Sequence, residues 1–354
     1  KFQKCCRTML VKRKSDNFRT WIEVDGKATR RNYETFRKLL APKTKLWSVV
    51  KSNAYGHGLF VFSKLAERMG IDGFCVDTIV EGLAMRREGI KKPILILGFT
   101  LPKFLPEAHA KNIVATISNF ETLKAIRTVK NPPPFHIKID SGMHRQGFFL
   151  NDVPRIISLI KGKSSLTHGL EGIYTHFSSA KDINYPTYTE GQFKIFQEAV
   201  RLFERAGFKD LIKHCAATGG TMLDKKYHLN AVRAGIVLYG LYPSRELEAQ
   251  LPALQLKPIL SWRTIVTEVK HIPAGSLVGY DLAERVRRPT KIAVLPIGYW
   301  HGFPRALSGV GQVLINGRRA KVLGRVSMDL TVVDATGIQV RPGDIVTLIG
   351  RQKT

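Results

Sequence analysis

Between residues 47 and 239, eight short apolar runs alternate with amphipathic helical stretches, and this alternation restricts the possible folds more than any other feature. The runs are Trp47–Lys51, Gly73–Asp77, Pro93–Gly98, Asn112–Ile117, Phe135–Asp140, Leu170–His176, Asp210–Cys215 and Ala231–Tyr239. Helical periodicity fills the gaps at Leu59–Met69, Ile79–Glu88, Phe120–Val129, Val153–Lys161 and Gly191–Ala206, with Gly70, Gly89 and Gly207 placed as C-caps. The gap after the seventh run is the weakest and holds only MLDKKYH. Eight strand–helix repeats predict an α/β fold, a (β/α)8 TIM barrel, for which about 250 residues is usual. The competing doubly wound sheet carries G-x-G-x-x-G after its first strand, and none stands there.

From about Leu256 the texture changes. Strand-like stretches follow one another at Leu260–Lys270, Lys291–Pro296, Gly311–Ile315, Arg319–Leu323, Thr331–Asp334 and Asp344–Leu348. Turn signals separate them at Asn316-Gly317, Thr336-Gly337 and Pro342-Gly343. The expected organisation is a basic N-terminal extension at 1–17, a barrel at 18–255 and a C-terminal mostly-β domain at 256–354. A start at Lys1 and a stop at Thr354, just after a strand-like stretch, read as the ends of a fragment, with the β domain truncated.

Composition narrows the function classes. The apolar runs are too short to span a bilayer, and the basic first residues lack the apolar core of a secretory signal. Four cysteines in 354 residues make no disulfide framework, and Cys5-Cys6 are too close for an ordinary bridge or a zinc site, so a reducing cytoplasm is expected. The net charge of +28 raises nucleic acid as a partner. The basic residues are scattered, however, and no aromatic-interleaved or recognition-helix pattern accompanies them.

The stretch VVKSNAYGHG ends the first run on Lys51. Such a lysine ordinarily lays its stem on the strand and sends its amine to water. The alternative is an amine kept for covalent chemistry. Barrel active sites form where strands end. There the fifth run delivers Lys138 and then Arg145, and the sixth delivers His176. The seventh leads to Thr218 with Gly219-Gly220, and the eighth brings Arg233 followed by Gly235-Ile236. Small residues after strands seven and eight suit a phosphate held by backbone N–H groups. A lysine facing a phosphate cradle points to pyridoxal 5'-phosphate. Arg233 could partner the pyridine nitrogen. It cannot give up its proton, which suits proton exchange at Cα over reactions needing a long-lived carbanion.

VVKSNAYGHG, KIDSGMHRQGF, EGIYTHFSSA, VRAGIVLYG, VGYD, PIGYWHGFPR and GRVSMD occur in that order over both expected domains. Through them the chain resembles the alanine racemases, fold-type III pyridoxal-phosphate enzymes, from Arg19 to its end. The resemblance implies that Lys51 carries the Schiff base and is the base on the D-side. Tyr280, from the partner subunit of a head-to-tail homodimer, is the base on the L-side. It implies that Tyr55, Thr218, Gly235 and Ile236 hold the phosphate, and that Arg233 faces the pyridine nitrogen. His176 packs on the ring, Arg145 and the Met328 backbone meet the substrate carboxylate, and Lys138 is the lysine carbamylated in many members. No metal is implied.

There are departures. Ala217-Thr218 replaces the usual Asn-Ser, and His301 stands where an aspartate is common. The family continues past residue 354 to a further phosphate-binding tyrosine. The implied function is interconversion of L- and D-alanine for peptidoglycan in a bacterial cytoplasm. The alternatives are a broad-specificity or serine racemase, or a non-catalytic pyridoxal-phosphate- or nucleic-acid-binding protein. Arg233 argues against a decarboxylase of this fold type, and a β domain bearing Tyr280 argues against a single-domain carrier.

Overall fold

The computed structural model describes residues 18–182, 184 and 186–350. The basic extension with Cys5 and Cys6, and the last four residues, lie outside the described residues. Contacts divide the chain into two compact units, 27–258 and 18–26 with 259–350. Among the described residues, no helix is long and apolar enough to cross a membrane.

The first strand, β1 (Thr20–Val24), belongs to the second unit. Unit 27–258 is built on eight parallel strands: β2 (Lys45–Val49), β3 (Gly73–Val76), β4 (Ile94–Ile96), β5 (Ala115–Ile117), β6 (Phe135–Lys138), β7 (Leu170–Tyr174), β8 (Ile212–His214) and β9 (Ala231–Ala234). They form two four-stranded ladders, β4-β3-β2-β9 and β5-β6-β7-β8. Parallel bridges Leu95–Val114 and Ala217–Arg233 join the ladders at both seams, so the sheet closes into the expected (β/α)8 barrel. Strands such as β6 are buried along their whole length because helices cover one face and the barrel interior the other. Trp47, Val49, Cys75, Leu95, Val114 and Ala231 form an apolar cluster drawn from the barrel strands.

Several boundaries move for local reasons. The first run ends at Val49, because the backbone after Val50 winds left-handed. The eighth run is a strand only to Ala234. At Gly235 the chain bends into a 3-10 turn, Ile236–Tyr239, which closes on Gly240 at φ +84°. The helix expected from Gly191 begins at Pro186, a residue suited to a first helical turn, and runs to Arg205. The weak gap holds a six-residue helix, Thr218–Leu223, and a 3-10 turn, Lys225–Tyr227.

The second unit contains β1 with β10 (Leu260–Ile265), β11 (Glu268–Ile272), β12 (Leu277–Val278), β13 (Glu284–Arg285), β14 (Thr290–Leu295), β15 (Gln312–Ile315), β16 (Arg318–Leu323), β17 (Thr331–Asp334) and β18 (Ile345–Ile349). Its antiparallel sheet runs β1-β10-β18-β15-β16-β17-β14-β11, with β12-β13 as a separate hairpin. The single stretch read at 260–270 is two strands, bent where Val266 drops into the core. That bend places consecutive strands near opposite ends of the order, so the sheet curls around Val266, Leu295, Val313, Val322, Val333 and Val346. Residues 18–26 were read with the barrel; instead β1 pairs with β10, Thr20 opposite Thr264 and Val24 opposite Leu260.

Ile137 is fully buried on β6, whereas Val80 is 62% exposed on its helix. Ile137→Ala should cost about 2–5 kcal/mol in urea unfolding. Val80→Ala should stay within about 0.5 kcal/mol of the parent.

Candidate active site

Lys51 is delivered by β2 into an unusual turn. Ser52, Asn53, Ala54 and Tyr55 all have φ of +54° to +56°, a left-handed helical turn without glycine. Such a backbone costs about 1–2 kcal/mol per residue for an L-amino acid. The turn is held by its own hydrogen bonds, Ala54 N–H to Val50 O (2.8 Å) and Gly58 N–H to Asn53 O (3.0 Å). Asn53 Oδ1 also accepts from Leu59 N–H at 2.8 Å. The Lys51 amine is half-buried and reaches Asp77 Oδ1 at 3.3 Å.

A small cradle lies beside this strand end. Gly235 N–H donates to Thr218 Oγ1 at 3.2 Å. A Cβ on Gly235 would come 2.9 Å from the Tyr55 hydroxyl and 3.7 Å from Val49 Cβ. Position 235 therefore tolerates only glycine while Tyr55 keeps its place. Tyr55, Thr218 and Gly235 thus converge as two hydroxyls and a backbone N–H, with Ile236 opening the next turn. This donor set fits a phosphate. Ala217 supplies no side-chain donor, as its place in the sequence requires.

Arg233 sits under the site at 2% exposure. Its Nη1 donates to His214 Nδ1 (2.5 Å) and His214 O (3.3 Å). Its Nη2 donates to Thr175 O (2.8 Å), Cys215 O (3.1 Å) and His176 Nδ1 (3.3 Å). A guanidinium only donates, so both imidazoles must accept at Nδ1 and carry their proton on Nε2. His214 can then donate from Nε2 to His136 Nδ1, 2.9 Å away, which fixes a third neutral ring. Tyr174 stacks on His214 at 4.7 Å and Trp47 meets it edge-on at 4.9 Å. Burial, and then the charge of Arg233, push His176 and His136 down to about 3 and hold His214 well below its ordinary value.

Two more cations share this rim. Lys138 is buried and donates to Gln146 Oε1 at 2.9 Å. Burial lowers it to about 8, with Arg145 and Arg233 adding to the effect. Arg145 itself is exposed on the loop. Within the barrel unit the structure therefore brings Lys51, Tyr55, Lys138, Arg145, His176, Thr218, Arg233, Gly235 and Ile236 to the strand-end face. Tyr280 and Met328 belong to the other unit. Tyr280 is 69% exposed on a turn pinned by the Asp281–Arg325 ion pair (2.5 Å), and Met328 O accepts from Trp300 N–H at 3.0 Å.

Sequence reasoning missed Asp77, His136, Gln146, Tyr174 and His214. The signal for two of them was present: a period of two puts His136 on the inward face with Lys138, and Tyr174 with His176.

The strand ends of this closed barrel thus present an amine, two hydroxyls beside a backbone N–H, and a buried arginine. Residues 24–243 match the family description "Alanine racemase, N-terminal domain", and residues 259–354 match "Alanine racemase, C-terminal domain". The chain belongs to the alanine racemase family. It is 35% identical to the alanine racemase of Leptospira interrogans over 348 residues, 95% of this chain and 88% of that protein. It is similar to the alanine racemase structure from Clostridium difficile 630 (TM-score 0.88, 32% identity, 95% and 88% of the two chains). It is also similar to the Bartonella henselae alanine racemase with covalently bound pyridoxal phosphate (TM-score 0.79, 27% identity, 94% and 90%).

The three histidines are neutral when folded and titrate near 6.5 when unfolded. Their contribution to stability is therefore complete above that pH and is lost as the pH falls below it toward 3. His136→Gln keeps an acceptor for His214 and removes one titrating group. Urea unfolding between pH 4 and 6 should lose about 1.4 kcal/mol per pH unit less steeply in this variant. An unchanged slope would assign the proton uptake to other groups.

Proposed function

We propose that the chain interconverts L- and D-alanine with pyridoxal 5'-phosphate as cofactor. The observation that carries this reading is the convergence of Lys51, the Tyr55–Thr218–Gly235 cradle and Arg233 on one barrel face. When bound, the cofactor acidifies the Cα proton of the amino acid attached to it.

The chain's residues do the rest. Lys51 would hold the cofactor through its amine, and as a free amine it would exchange the Cα proton on the D-side. Tyr280 of a second copy exchanges it on the opposite face. One base removes the proton and the other returns one, and the roles reverse with direction. Burial works against the charge of Arg233, and five neutral acceptors hold it. It would hydrogen-bond the ring nitrogen without transferring a proton to it, which would favour simple return of the Cα proton. His176, which accepts from Arg233 at Nδ1, would pack on the cofactor ring. Arg145 and the Met328 backbone take the substrate carboxylate, and Ile236 with Gly235 takes the phosphate.

Lys138 is the proposed carbamylation site. With its amine lowered to about 8, a neutral fraction exists near pH 7 to add to CO2 and release a proton. The new anion would lie beside Arg145. A head-to-tail homodimer with two composite sites follows from a second base on the other unit. The biological role is D-alanine supply for peptidoglycan in a bacterial cytoplasm.

The test is direct. Purified protein should absorb at the lysine-bound cofactor band, borohydride should fix the cofactor to Lys51, and D/L conversion should be faster with alanine than with serine. Label on another residue overturns the assignment. Tyr280→Phe should slow proton removal from L-alanine by about 100-fold or more, with Lys51-dependent exchange on D-alanine persisting. Mixing Lys51→Ala with Tyr280→Phe should restore about a quarter of parental activity, since half of the dimers are mixed and each has one intact site. No recovery on mixing would count against composite sites.

A further inference from the structure

We propose that Glu81 is a positioning residue for the reactive lysine, gripping the left-handed turn that aims it; this rests on the reading of Lys51 given above. Glu81 is the third residue of the helix Ile79–Arg87, and Thr78 Oγ1 caps that helix by accepting from Glu81 N–H at 3.3 Å. In an ordinary capping box the glutamate reaches back only to its own cap. Here one oxygen, Oε2, accepts from Thr78 N–H (3.1 Å) and Asp77 N–H (2.9 Å). The other, Oε1, crosses to the neighbouring strand end and accepts from Ser52 N–H at 2.6 Å.

That cross-link falls on the first residue of the strained turn. Ser52 follows Lys51 directly and begins the run of four positive φ values. The gripped N–H lies in the peptide plane that follows Lys51 Cα, so the contact restrains the Lys51 backbone from which the side chain leaves. The carboxylate also holds the Asp77 backbone, and the Asp77 side chain reaches back to Lys51 Nζ at 3.3 Å. Lysine main chain, Glu81, Asp77 and lysine amine thus close a ring of contacts between two adjacent strand ends. A charged acceptor on three backbone donors is the strongest hydrogen-bonding arrangement available to such a link.

A glutamine cannot replace it, because its –NH2 would face N–H donors on one side. The helix cap and the grip can also be separated by mutation. Thr78→Ala removes the cap and leaves the Ser52 contact, whereas Glu81→Gln and Glu81→Ala remove the grip.

The experiment uses the full chain in two states. In cofactor-loaded protein, kcat in both directions should fall about 10- to 100-fold in Glu81→Ala, less in Glu81→Gln, and less than about 2-fold in Thr78→Ala. In cofactor-free protein, hydrogen–deuterium exchange of the segment 50–56 should speed up by about tenfold or more in both Glu81 variants and stay parental in Thr78→Ala. Equal losses of kcat in Thr78→Ala and Glu81→Ala would reduce the residue to a helix cap and overturn the proposal. So would parental exchange at 50–56 in both Glu81 variants. Failure of borohydride to label Lys51 in the parent protein is a different result. It would remove the lysine assignment and leave the exchange measurement standing.

Discussion

A guanidinium buried inside a barrel, with no carboxylate against it among the described residues, sets the terms for everything near it. Arg233 is surrounded by three backbone carbonyls and two imidazoles, all neutral acceptors. Its charge is therefore solvated by dipoles and not cancelled. Two consequences follow. Each histidine that touches the arginine, or touches its partner, is committed to one tautomer, so the interior holds a column of oriented dipoles. The uncancelled charge also extends to the rim, where it helps lower Lys138 and His176. A rim with that bias is prepared for anions, and the phosphate and the carboxylate of an amino acid are both anions.

The same site is rigid in its donors and strained in its backbone. Gly235 is pressed against Tyr55, and four residues after Lys51 lie in a region that L-residues avoid. Strain of this kind persists only where the surroundings over-determine it. Here those surroundings are the turn's own bonds, the Asn53 side chain and the Glu81 carboxylate from the neighbouring strand end. Precision at the lysine thus depends on a helix that contributes no group to the chemistry itself.

Much of this was legible in the residues, and what was hidden had physical reasons. The alternation of runs and helices reports burial on two faces, and the closed barrel follows from it. The candidate site residues at the strand ends were readable because chemistry at that face needs particular side chains. Tyr174, His136 and His214 were less visible because a buried polar residue on a strand looks like any other inward position until its partners are known. Asp77 meets the lysine amine from a neighbouring strand end and Glu81 acts through backbone N–H groups, and no residue pattern announces a left-handed turn without glycine. The second unit's curl was also hidden, since Val266 reads as one more apolar residue in a single strand. The pairing of β1 with β10 was missed for a different reason, that its partners lie about 240 positions apart.

That separation has a consequence for how the molecule is made. Thr20–Val24 leaves the ribosome long before its hydrogen-bonding neighbours, residues 260–264. At about 5–20 residues per second, the wait is on the order of 12 to 50 s. During it the barrel strands emerge one after another, and the last of them, Ala231–Ala234, precedes β10 by only about 26 residues. The opening strand must stay unpaired for that long. Nascent chains that have not yet exposed β10 should carry a loose, sheet-seeking strand beside a barrel still closing, a natural client for a chaperone that shelters exposed strand edges.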